Sequence, residues 1–200
     1  MATGTSKGTV ALWDARAHKR PCSELQGPQH TGALQTLQVT PDGRAVIAGS
    51  QCGQVLMWDM RGGRSPTAQL GAYGPARHPL LAAVRLRAAL AAVPGLTQQT
   101  HLPGTSLLSL ILDALDPRRA AFCLPCGWQG VLDLVRQEVT HLYCPPHDEE
   151  NPAALNHDCL PAWGRNGGPY CCPSASGVTL LDFNSKTASP QKHTPPCVHE

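Results

Sequence analysis

Two stretches of this chain repeat each other at a fixed interval, and that echo sets the strongest limit on how the chain can fold. One runs from Ala2 to Arg16 and the other from Ile47 to Arg61. Gly8 and Gly53, Val10 and Val55, Trp13 and Trp58, Asp14 and Asp59, and Arg16 and Arg61 each lie 45 residues apart. A period of this length marks one supersecondary unit that stacks on copies of itself to bury its apolar faces. The sequence between the copies reads as strands and turns. Leu34, Leu37 and Val39 fall on one strand, and Thr40-Pro41-Asp42-Gly43-Arg44 is a turn. Proline presets φ in that turn, and glycine supplies a left-handed position. Ala45–Gly49 is the next strand. Val55–Trp58 is a short apolar run, as expected for a strand covered on both faces.

Two fainter copies follow. Leu108–Leu112, the turn Asp116–Arg119, Ala120–Leu124 and Gly130–Leu134 trace the same order, and so do Leu160–Trp163, Arg165–Gly168, Tyr170–Cys172 and Gly177–Asp182. Leu132 and Leu181 stand at the tryptophan positions, and Asp133 and Asp182 are 49 residues apart. Surplus sequence falls in residues 72–104. Within it, Pro79–Val93 holds six alanines and starts on a proline, which predicts an inserted helix. The alternative is a buried strand with Arg85 and Arg87 on one face. The expected organisation is residues 1–71 as clear repeats, 72–104 as a helical insert, 105–185 as degenerate repeats and 186–200 as a disordered tail.

Composition agrees with a fold of many short strands. Glycine and proline number 19 each in 200 residues, which favours turns over helical bundles. The net charge is +2, so no strong field favours nucleic acid or an anionic membrane. The longest uncharged apolar stretches, Leu80–Val84 and Leu107–Leu112, are far too short to span a bilayer. Met1 is followed by no apolar leader segment, so the nine cysteines read as reduced thiols of an intracellular protein, in cytoplasm or nucleus.

The two clear copies, each ending Trp-Asp-x-Arg at 45-residue spacing, resemble WD repeats. That resemblance implies an all-β, partial β-propeller of about three to four blades with one helical insert, too few to close a standard ring alone. It also implies a non-catalytic scaffold for other proteins. In this family a loop His, a strand Ser or Thr, the Trp and a turn Asp form a hydrogen-bonded set. His30, Ser50 and Trp58 match three of these, and Trp13, Asp14 and Asp59 complete the structural repeat positions. The turn Asp is missing, with Lys7 and Cys52 in its place. An ammonium accepts no hydrogen bond and a thiol accepts poorly, so a weakened network is expected. Trp-Asp-x-Arg is also similar to the box in WD substrate receptors of cullin–RING ubiquitin ligases. By that resemblance Arg16 and Arg61 would contact the ligase adaptor, since the guanidinium fork pairs bidentately with carboxylates.

Other chemistry has thin support. The chain holds no GxSxG, P-loop, GxGxxG or HExxH motif, so no enzyme and no cofactor are expected. Cys123-Leu124-Pro125-Cys126 is a CxxC with Cys144, His147, His157, Cys159, Cys171 and Cys172 downstream, so a zinc-binding structural module is the remaining alternative. No second CxxC at finger spacing accompanies it. Alternation along a strand would place Cys123 and Cys126 on opposite faces, and small core residues is the plainer reading of both.

Overall fold

The computed structural model describes residues 1–16, 20–61, 78–94, 96, 105–113, 115–143, 161–163, 170–174, 177–181 and 183. Among them, consecutive strands build four antiparallel sheets. The first contains β1 (Ala2–Gly4), β2 (Thr9–Leu12) and β3 (Ser23–Gln26). The second contains β4 (Leu34–Val39), β5 (Ala45–Ser50), β6 (Gln54–Asp59) and β7 (Leu80–Arg85). The third contains β8 (Ser109–Leu112), β9 (Arg119–Cys123), β10 (Gln129–Asp133) and β11 (Glu138–Tyr143). The fourth contains β12 (Ala162–Trp163), β13 (Tyr170–Ser174) and β14 (Gly177–Leu181). No described helix is long and apolar enough to cross a membrane.

The sheets pack face to face in chain order, and the alternation of side chains explains how. On the second sheet, Val46, Ala48, Leu56 and Trp58 point back onto Val10, Leu12 and Leu25 of the first. Their neighbours Ile47 and Val55 point forward onto Leu110, Leu112, Ala120 and Phe122 of the third. Both faces are therefore covered, which is why β5 is buried throughout and β6 is continuously apolar from Val55 to Trp58. The third sheet repeats the device: Ala121, Val131 and Tyr143 meet Tyr170, Leu181 and Phe183 of the fourth.

The two repeat copies occupy equivalent places. Gly8 and Gly53 each sit in a turn between paired strands with positive φ, +80° and +73°. Side chains also stitch neighbouring sheets through β4 and β8: Leu112 N–H donates to Gln38 Oε1 at 2.9 Å, and Thr36 Oγ1 lies 3.4 Å from the Leu110 carbonyl. These paired contacts, two residues apart on each strand, show β4 and β8 running in the same direction. The connections β2–β3, β4–β5, β6–β7, β8–β9 and β10–β11 consequently emerge at one end of the stack.

The helix expected across residues 79–93 is half strand. Leu80–Arg85 pairs with β6 as the fourth strand of the second sheet, and only Leu86–Ala91 forms a helix, α1. Helix propensity is a weak prior, and the open hydrogen-bonding edge of β6 outweighs it. The chain turns at Arg85, where the Leu86 N–H donates to the Gly53 carbonyl. α1 then buries Leu86, Ala89 and Leu90, and with Val93 and Leu96 it closes the core between the second and third sheets. Arg85 ends a strand and Arg87 lies in a helix, so they do not share a strand face. The proposed tail, residues 186–200, lies outside the described residues.

Candidate interaction surface

Trp58 is fully buried, and its indole N–H donates to the Gln26 carbonyl of the first sheet at 3.1 Å. An indole has one N–H, so Trp58 does not also bond Ser50. The Ser50 hydroxyl instead accepts from the Gln54 N–H at 3.1 Å, within the β5–β6 turn. His30 sits on an exposed turn with φ +65°. The expected set of His30, Ser50 and Trp58 is therefore not one hydrogen-bonded network.

The first copy shows where the tryptophan's local partner belongs. Trp13 Nε1 donates to Thr3 Oγ1 at 2.8 Å. Thr3 lies 45 residues before Ala48, two positions upstream of Ser50 in the second copy. Alanine offers no acceptor there, so the Trp58 N–H turns to a backbone carbonyl across the sheet interface. Aligning Thr3 with Ala48 would have exposed the loss in the sequence itself.

Asp14 and Asp59 act on their own turns. Asp14 Oδ1 accepts the Arg16 N–H at 2.9 Å, and Asp59 Oδ1 accepts the Arg61 N–H at 2.8 Å. The same arrangement recurs at Asp42 to Arg44, Asp116 to Arg118, and Asp133 to Val135 and Arg136. An Asx turn of this type satisfies a backbone donor locally. Asp113, at the end of β8, does the same for the Leu115 N–H.

The two candidate docking arginines differ. Arg61 grips Asp59 through Nε and Nη2, with Nη2 to Oδ2 at 2.9 Å. That grip, with the backbone N–H of Arg61, holds the Asp59 carboxyl below its ordinary value and raises the Arg61 pKa. Arg16 stands 3.9 Å from Asp14 with a side chain 95% exposed, against 64% for Arg61. Asp42 is also held low, by the Thr40 hydroxyl first and then by the Arg44 backbone N–H. The Asp42 side chain is half-exposed, where such pairs contribute little to stability, whereas the Asp59 side chain is only 17% exposed.

Sequence reasoning missed a junction between the third and fourth sheets. Arg119 pairs with buried Asp113 at 3.3 Å, donates to the Phe183 carbonyl and lies over the Trp163 ring at 5.7 Å. It also missed a set of exposed apolar side chains at the end where the Asp-Arg turns lie. Leu115 and Val135 are 67% and 68% exposed there, and Val39 and Leu80 are exposed on the second sheet. The recurrence of Asp-x-Arg at Asp42-Gly43-Arg44 and Asp116-Pro117-Arg118 was the available signal.

Cys123 is buried at the end of β9, while Cys126 lies exposed in the following turn with its thiol pKa raised by local desolvation. Both are free. No three metal-ligating groups gather among the described residues. Of the other candidate ligands, Cys144, His147, His157 and Cys159 fall outside them, while Cys171 and Cys172 lie on β13.

No protein-family model matches the chain. Over 68 residues it is 32% identical to Protein groucho of Drosophila melanogaster, a match spanning 33% of this chain and 9% of that protein's length.

Proposed function

We propose that this chain is part of a WD-repeat β-propeller and serves as a non-catalytic scaffold for other proteins. One observation carries the reading. Segments 45 residues apart form equivalent strands in adjacent stacked sheets, and Trp58 closes the second sheet against the first. The likeness to groucho, a WD-repeat protein, supports it. Stacked sheets of this kind carry a rigid core and present turns at both ends, the usual sites of protein recognition. Crosslinking mass spectrometry on the chain expressed in cells tests the reading. Reproducible crosslinks from the turns to specific proteins are expected; their absence would sink it.

A narrower version makes the chain a substrate receptor of a cullin–RING ligase. Arg16 and Arg61 project at the same end of the stack, and Arg16 is almost fully exposed. Under this version the adaptor co-purifies with the chain and is lost on the double change R16A/R61A. Equal adaptor recovery after that change removes it.

A further inference from the structure

In every sheet the tryptophan position faces back along the stack, and the residue before it faces forward. Trp58, Leu132 and Leu181 are fully buried, each against the sheet that precedes its own. The residues one earlier, Leu12, Met57 and Val131, pack forward on the sheet that follows. Strand alternation requires this division, because neighbouring side chains leave opposite faces. Three contacts of forward face on back face therefore join the four sheets.

The division is unmet once at each end of the stack. Trp13 is only half-buried, and Leu180 is 51% exposed. Trp13 shares the back face of the first sheet with Thr3, Ala11 and Glu24: its indole N–H bonds Thr3, and Thr3 and Glu24 both pair with Ala11. Glu24 is the one charge on that face. It lies on the outermost strand, where the equivalent Ala83 of the second sheet stays exposed even with the first sheet behind it. Leu180 shares the forward face of the fourth sheet with Cys171 and Ala162. The chain thus displays, once each, the two halves of the contact it makes internally three times. They do not cover one another within one molecule, as the exposure of Leu180 shows.

We infer that the forward face of the fourth sheet docks on the back face of the first sheet of a second copy. The reciprocal contact closes the pair into a two-fold ring of twice four sheets. Covering an exposed leucine and a half-exposed indole supplies the driving force. The occupant is a second copy because the matching face is the chain's own, of the same type as its internal contacts. A head-to-tail contact leaves no face unmet only when it closes, and about eight sheets is within the range of closed propellers. The inference rests on the stacked-sheet reading above and on no other protein as partner.

The test is the mass of the whole chain in solution, by size exclusion with light scattering. Twice the 21.2 kDa of one chain is expected, dissociating on dilution. Leu180→Glu and, separately, Trp13→Lys are each expected to weaken association at least about ten-fold, since each puts a charge into both reciprocal contacts. Leu115→Glu, an exposed leucine off these faces, is expected to leave it unchanged. Mixing the two weakened variants is expected to restore the pair. One contact is then wild type, and the other sets Lys against Glu. Circular dichroism checks folding; should Trp13→Lys unfold, Leu180→Glu against Leu115→Glu decides. In chain dilute enough to be single, Trp13 has only the cover of its own sheet, and its truncation costs less than that of Trp58. A single-chain mass at all concentrations overturns the inference. So does a pair that survives Leu180→Glu, a mixture of folded variants that stays single, or growth into longer assemblies. A single-chain mass together with specific cellular crosslinks removes this inference and leaves the scaffold reading standing. A closed pair without cellular partners does the reverse.

Discussion

At the scale of single residues, the two tryptophans separate packing from hydrogen bonding. Trp58 has no exposed surface and Trp13 is half-buried, so they share a repeat position but not an environment. Trp58→Ala is expected to cost about 3–5 kcal/mol in urea unfolding, and Trp13→Ala clearly less. Equal losses would mean the two sites are packed alike. Thr3→Val removes only the acceptor of the Trp13 N–H and is expected to cost about 1 kcal/mol. Ala48→Ser offers Trp58 the hydroxyl its copy lacks. Asp59 supplies a charge test. Its pKa is lowered in the folded state, so its stabilising contribution is present above the unfolded-state carboxylate value and fades as pH falls through the lower folded value. Arg61→Gln is expected to move that pKa up toward the ordinary carboxylate range, read by NMR titration of the Asp59 carboxyl. An unmoved titration would show that the guanidinium is not its main partner.

At the scale of elements, the β5–β6 turn and α1 are the places where sequence tolerance is narrowest. Gly53 has φ +73°, and a Cβ there would meet the Thr105 carbonyl at 2.6 Å; at Gly43, with φ +68°, nothing lies within 4 Å. Gly43→Ala is therefore expected to cost only the left-handed strain, about 1–2 kcal/mol. Gly53→Ala is expected to cost more, because the backbone of a neighbouring segment must also move. A thermal melt of both variants decides it, and equal costs would contradict the close approach of Thr105. α1 is held by its buried face, since it is too short to be stable alone. Leu90→Ala is expected to cost about 2–5 kcal/mol and to raise hydrogen exchange in both β7 and β11.

At the scale of the whole molecule, stability is carried from sheet to sheet, each packing on the next. Among the described residues, the fourth sheet is attached through Tyr170, Leu181, Phe183 and the cation Arg119. Arg119→Ala leaves the Asp113 carboxylate buried without that cation, an expensive state. It is expected to increase exchange in β13 and β14 while leaving β5 and β6 protected. Loss of protection in all four sheets together would instead show one cooperative unit. A zinc reading can be settled at this scale too. Metal content near one zinc per chain would revive the CxxC; near zero would remove it.

The strands around both tryptophans, the turn at Thr40–Arg44 and the order of the two fainter copies were legible in the sequence, because alternation and turn residues act over a few positions. All-β architecture followed from them. Three features were decided only by tertiary structure. Leu80–Arg85 became a strand because β6 offered an open edge that outweighed alanine-rich helix propensity. Trp58 found its acceptor in another sheet, because Ala48 left none nearby. The gathering of arginines and exposed apolar side chains at one end came from the parallel alignment of β4 and β8. That alignment brings turns distant in sequence to one surface, which no local pattern records.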